Sequence, residues 1–298
     1  MKRNKLQFFL LLFLFLLPLQ SCIILPPSEL ESTQQQTTKA PTQQLPPPTV
    51  NPILTYYQGV RYTYRTDVNE SLLVTDMSED YLLLINKIYT LGENYKPPIL
   101  TNLTCPTHYG ESLSLSVRAA LALYEMFDEM QACGIDDLSV TSAYRSYAYQ
   151  ESLFNGYVRR EQTTISDEAI AFFGEAYIQS EYRDAGKTGL SEEDAKRLVQ
   201  SYSAKAGTSE HQTGLCVDFI SSDMNDKLTV DFENTEAFAW LSENAYKFGF
   251  ILRYPKGKED ITGYTYEPWH YRFVGREAAT NIHFANITLE EYLEIARN

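Results

Sequence analysis

Four histidines occur in this chain of 298 residues, His108, His211, His270 and His283, so a metal centre built on imidazole has few candidates. Two of them have carboxylates at short range. His211 lies in Ser209-Glu210-His211-Gln212-Thr213-Gly214-Leu215-Cys216-Val217-Asp218, and His270 lies in Glu267-Pro268-Trp269-His270. A catalytic zinc takes about three protein ligands and keeps a further position for water. His211, Asp218 and His270 can supply that set. Glu267, just upstream of His270, could then take a proton from the water and later return it to a leaving amine. On spacing alone a chance pairing in an acidic chain stays open, because Glu-x-x-His is a weak motif. His108 and His283 have no such context and are expected to be ordinary surface or packing residues.

The elements that would carry these residues can be read from periodicity and turn signals. Gly214 permits a sharp turn after His211, and Leu215 to Ile220 reads as a buried strand that returns Asp218 to the same point. Residues 216 and 218 of such a strand share a face, so Cys216 could also turn toward a metal, although a small buried thiol is the plainer expectation. Trp269 to Val274 and Phe250 to Tyr254 read as further strands, and Leu138 to Ala143 as a short one. A long helix is expected from Leu113 to Cys133, with Val117, Leu121, Tyr124 and Phe127 on one face and Gly134 beyond its end. Residues 147–160, 165–183 and 191–202 read as charged surface helices. Thr235 to Phe248 reads as a helix closed by Gly249, and the chain is helical from Arg276 to its end. Helices around a few short antiparallel strands make an α+β fold, a small sheet carrying the site with helices about it.

Composition narrows the function further. With 25 basic and 39 acidic residues the formal charge is −14, and no basic face is visible, which argues against a nucleic-acid partner. The N-terminus is not expected to be fold. Lys2, Arg3 and Lys5 precede an apolar run from Phe8 to Leu19, shorter than the ~20 residues a membrane-spanning helix needs, and this matches an export signal. The run ends in Leu19-Gln20-Ser21-Cys22, which resembles a bacterial lipobox, with Gln20 departing from the usual small or aliphatic residue. That resemblance implies cleavage after residue 21 and a lipid on Cys22 that anchors the protein to the membrane, facing the cell wall. Residues 22–52, rich in Pro, Thr and Gln, read as a stalk, and 53–298 as a single catalytic domain. If Cys22 carries lipid, Cys105, Cys133 and Cys216 remain, and a Cys105–Cys133 bridge is open but not favoured.

Taken together, Ser209-x-His211-x(6)-Asp218 and the later Glu267-x-Trp269-His270 resemble the signature of the VanY-like D-alanyl-D-alanine carboxypeptidases, in the wider group of zinc peptidases that includes lysostaphin-type enzymes. Tyr144-Arg145-Ser146 with Gln150, and Phe250 to Pro255, resemble family segments in the same order, and the likeness covers roughly residues 75–296. Cys216 departs from the small residue usual at its position. The resemblance implies one Zn2+ per chain on His211, Asp218 and His270, with Glu267 as the catalytic base. It implies that Arg145 holds the substrate carboxylate or the oxyanion and that Ser209 and Gln150 contact substrate. Arg253 is expected to assist with the terminal carboxylate or to form a surface ion pair. The implied activity is removal of the terminal D-alanine from peptidoglycan stem peptides. The alternatives are L,D-carboxypeptidase action on tetrapeptide stems, endopeptidase action on cross-bridges, and a wall-binding module without turnover.

Overall fold

The computed structural model describes residues 56–73, 79–225 and 227–297, all within one compact unit, Pro46–Asn298. The export signal, Cys22 and the stalk lie outside the described residues. Among the described residues six short strands are present: β1 (Leu100–Asn102), β2 (Ser114–Ser116), β3 (Leu138–Ser142), β4 (Cys216–Ser221), β5 (Phe250–Leu252) and β6 (His270–Phe273). β1 and β2 form a two-stranded ribbon. The others make a four-stranded antiparallel sheet in the order β3-β4-β6-β5. The expected α+β architecture is the one observed. The register across the sheet centre pairs Asp218 with His270 and Cys216 with Arg272. The two segments singled out for chemistry are therefore direct neighbours.

Ten α-helices surround the strands in the described residues: α1 (Tyr56–Gly59), α2 (Val117–Ala132), α3 (Tyr147–Thr163), α4 (Asp167–Phe173), α5 (Glu175–Ile178), α6 (Glu192–Tyr202), α7 (Glu236–Asn244), α8 (Glu259–Thr262), α9 (Arg276–Ala285) and α10 (Leu289–Arg297). Several begin at hydroxyl caps. Ser146, Ser166, Ser191 and Thr235 each accept the backbone N–H three residues on, which satisfies a donor the helix itself cannot use.

Three local expectations are corrected. The helix expected from Leu113 starts only at Val117, because residues 114–116 pair with Leu100–Asn102. Its buried face is not the bulky stripe read from the sequence. Ala119, Leu123, Met126 and Met130 face the core, whereas Val117 is exposed. The alanines let the helix approach closely, so the buried face is centred beside the expected stripe, of which Tyr124 and Phe127 pack against the edge of the core. The helix expected over 165–183 is broken at Gly174 (φ 89°), where α4 ends and α5 begins before a wide helical turn to Arg183.

The apolar interior falls into three clusters. The largest joins α2 to the sheet through Leu123, Val140, Val217, Phe219, Tyr271 and Phe273. A second packs α9 and α10 against Ile251 and Val274. The third, Phe154, Val158, Ala169, Ile178, Tyr182, Leu198 and their neighbours, belongs wholly to the α3–α6 excursion.

Candidate active site

His211 sits in a tight helical turn, Glu210–Thr213, closed by Gly214 in the left-handed conformation (φ 67°). A Cβ at Gly214 would come within 2.7 Å of Leu100 Cδ2, so this turn needs glycine for space as well as for φ. The segment leaving β3 clasps His211 twice. The His211 ring Nδ1 lies 2.5 Å from the Ala143 carbonyl, and Arg145 N–H donates to the His211 carbonyl at 3.1 Å. A carbonyl only accepts, so Nδ1 carries a hydrogen and the Nε2 lone pair is the one left to take a proton or a metal ion. Burial and Arg145 lower this ring, and Asp218 and Cys216 reverse this and raise it.

That lone pair points at Asp218, whose Oδ2 is 3.1 Å from His211 Nε2. Asp218 Oδ1 is 2.8 Å from Nδ1 of His270. Asp218 is thus held between two imidazoles on the buried centre of the sheet, with both rings almost inaccessible. Burial raises the Asp218 carboxyl, but the two histidines outweigh that and hold it well below the usual range. Burial lowers the His270 ring, and Cys216, Asp218 and Glu210 reverse this and hold it well above its ordinary value. A lone pair facing a carboxylate in a dry site calls for a cation between them. Two imidazoles and one carboxylate are an ordinary donor set for zinc. The residues present therefore fit the metal that the sequence pattern implies.

Cys216 is fully buried, and the donor atoms of His211, Cys216 and His270 lie within 4.8 Å of one another. Burial raises its thiol, but His211 and His270 bring it down to about 7. Cys105 and Cys133 are both free thiols, so the bridge left open by the sequence is not formed.

Glu267 borders the same point, its Oε2 3.9 Å from His270 Nδ1, with little of its side chain exposed. Burial pushes its carboxyl up to about 7, helped by Asp218 and opposed by His270. Arg145 reaches across from the β3 end, with Nη2 3.9 Å from Asp218 Oδ2 and its Nε buried without a partner among the described residues. Ser209 and Gln150 line the cleft. Gln150 gives one amide hydrogen to the Ala204 carbonyl at 2.7 Å, and its Oε1 is buried without a partner among the described residues.

Among the described residues expected at the site, Arg253 is the one that lies away from the cleft. It is fully buried, forms no part of the cleft wall, and is no surface ion pair. Its Nε donates to Glu210 at 2.8 Å, and its two terminal nitrogens grip Glu290 at 2.8 and 2.7 Å. Sequence reasoning also passed over Glu210 and Arg272. Glu210 lies beside His211, but no local signal shows its partners. Burial raises its carboxyl, and Arg253 and Arg272 overcome this and hold it far below the normal range.

The cleft has a volume of about 420 Å3, within the range of small-ligand sites. Its floor is His211, Asp218, His270 and Glu267. One wall is the excursion, through Leu153, Tyr157, Arg160 and Tyr202, and Tyr254, Tyr264 and Trp269 line it elsewhere.

The model of the VanY D-alanyl-D-alanine carboxypeptidases matches residues 112–276. A D-alanyl-D-alanine carboxypeptidase of Enterococcus faecalis is 36% identical over 220 residues, covering 73% of this chain and 67% of that one. The solved LD-carboxypeptidase LdcB is 36% identical with a TM-score of 0.56, covering 72% of this chain and 86% of that one. A variant of the vancomycin-resistance D,D-pentapeptidase VanY, solved with Zn(II), is 33% identical with a TM-score of 0.53, covering 72% and 99%.

Proposed function

The chain belongs to the VanY family of D-alanyl-D-alanine carboxypeptidases and is a peptide hydrolase; from that premise we propose that it removes the terminal D-alanine of peptidoglycan stem peptides with one zinc ion. The observation that carries this reading is Asp218 set between the inward lone pair of His211 and the ring of His270, with the raised carboxyl of Glu267 at the same point. His211, Asp218 and His270 would hold the zinc. When bound, it supplies Lewis acidity to the attacking water and the scissile carbonyl.

The remaining steps belong to the chain's own side chains. Glu267, with a carboxyl near neutrality, takes the proton of the attacking water and delivers it to the amine of the departing D-alanine. Arg145 offers a planar pair of donors at the cleft, suited to the free C-terminal carboxylate or to charge developing on the carbonyl oxygen. Ser209 and the Oε1 of Gln150 are placed for hydrogen bonds to the peptide. Burial of the floor keeps these groups out of bulk water, where their charges would be screened.

Mass spectrometry of muropeptides incubated with the protein, with and without zinc, tests the reading. Loss of one alanine from pentapeptides alone is the expected result. Loss from tetrapeptides would move the assignment to L,D-carboxypeptidase action, the activity named for LdcB. No mass change with zinc bound would favour a binding module.

We also carry forward, from the sequence alone, residues 1–21 as an export signal, a lipid on Cys22 and residues 22–52 as a tether below the catalytic domain 53–298. Fatty-acid labelling that persists in a Cys22→Ala variant would overturn the anchor.

A further inference from the structure

Two buried polar atoms beside the proposed metal site have no hydrogen-bond partner among the described residues, and they face each other. One is Glu210 Oε2 and the other is His270 Nε2, 3.6 Å apart. That separation is too long for a hydrogen bond, and a shift of about 0.7 Å would make one. Left unmade, each atom bears its desolvation cost without compensation. Other buried polar atoms nearby also lack a partner among the described residues, Tyr271 Oη on β6 among them, but these two are the pair whose atoms confront each other.

What holds Glu210 there is unusual in an interior. Its Oε1 accepts from Arg253 Nε at 2.8 Å and from Arg272 Nη1 at 2.9 Å, with both arginines wholly buried. Arg253 is fixed in turn by Glu290 of α10. Arg272, on β6, is fixed by the carbonyls of Phe273, Tyr81 and Leu83. Two guanidinium donors on Oε1 make Glu210 a carboxylate and lock its rotation. Its second oxygen can only accept, and the donor it confronts is the outer nitrogen of His270. Ionised groups this deep are costly to bury, and packing alone would be better served by apolar residues. The arrangement has a directional product instead, a fixed acceptor behind one imidazole.

We propose that Glu210, clamped by Arg253 and Arg272, is a positioning residue that keeps a hydrogen of His270 on Nε2, so that Nδ1 is the nitrogen that gives up its proton and offers its lone pair when the metal binds beside Asp218. The proposal rests on the zinc reading above and extends it to a second carboxylate that does not touch substrate. It gives the two histidines matching devices. The Ala143 carbonyl sets His211 so that Nε2 faces inward, and Glu210 sets His270 so that Nδ1 faces inward. It also accounts for the burial of Arg253 and Arg272.

The decisive variant is Glu210→Gln. The arginines oblige the new amide to keep its oxygen toward them, so its NH2 turns to His270 and donates where the carboxylate accepted. The hydrogen of His270 is then displaced to Nδ1, the inward nitrogen. Chelator competition should show zinc affinity falling about 10–100-fold, the usual effect of losing such an outer partner. Ring nitrogen NMR of the metal-free protein should show a protected Nε2 hydrogen on His270 in the wild type and its loss in Glu210→Gln. Unchanged affinity and an unchanged ring in a folded Glu210→Gln protein would overturn the proposal. If that variant does not fold, the wild type decides alone, and a His270 Nε2 that carries no protected hydrogen overturns it. A wild type that takes up no zinc would refute the zinc reading, while the ring spectra of the metal-free proteins would still uphold or overturn the role of Glu210.

Discussion

The α3–α6 excursion and the four-stranded sheet both bury carboxylates, and they treat them differently. In the excursion, Glu161 accepts from Arg160, Tyr202 and Ser166, and Asp194 accepts from Tyr177, Tyr182 and Arg197, so every oxygen is used. Among the described residues in and around the sheet, Glu210 Oε2, His270 Nε2 and Arg145 Nε have no partner, and neither have Tyr271 Oη, Gln212 Oε1 and Arg276 Nε farther from the cleft floor. Buried polar groups in native proteins are almost always paired, so an unpaired one asks for a reason. The excursion uses its carboxylates to hold helices together under their own apolar cluster. The sheet leaves groups unsatisfied where a ligand, a metal or a shifted neighbour would complete them.

The largest effect that would sharpen this contrast belongs to Glu267. Glu267→Gln should lower turnover of D-Ala-D-Ala peptides by about 10²–10⁴ while zinc content, measured by metal analysis, stays at the wild-type level. Near-wild-type turnover would remove the base from the mechanism. Next in size is Asp194→Ala, which leaves two tyrosine hydroxyls and Arg197 without their acceptor. Urea unfolding should show a loss of about 1–3 kcal/mol, with zinc affinity unchanged. A fall in zinc affinity there would break the division between the two regions.

The smallest effect concerns Glu129 on α2, which accepts from Arg65 N–H, Thr66 N–H and the Thr66 hydroxyl at 2.7–2.9 Å. Burial raises its carboxyl, but these bonds outweigh burial and leave it lowered. A carboxyl lowered by folding contributes stability above its unfolded value, and that contribution is lost as pH falls through the folded one. Glu129→Gln should therefore cost about 1 kcal/mol at neutral pH by urea titration, and the difference should vanish in acid, below the ordinary carboxylate range. A difference that persists in acid would show that packing, not charge, fastens the Arg65–Thr66 loop.

Much of the floor was legible because its information is local. His211, Gly214 and Asp218 lie within one turn and one strand, and Glu267 with His270 within another, so residue type and spacing together suggest a metal set. The strand around Asp218, the C-terminal end of α2 and the start of α7 were equally visible, because period, glycine and hydroxyl caps are written in neighbouring residues. Other features depend on partners far along the chain. Arg253 read as a surface cation because arginine usually is one. Only the pairing of β5 and β6 beside Glu210 and α10 turned it inward, across separations of 43 and 37 residues. The buried alanine face of α2, the β1–β2 ribbon, the bond from Gln150 to Ala204 and the contact of His270 with Glu210 were decided in the same way. The sequence by itself determined which residues could do chemistry and the α+β class that carries them. Only the tertiary structure decided which nitrogen of each histidine faces inward and which charges are buried, because hydrogen-bond direction and desolvation depend on neighbours that no local period records.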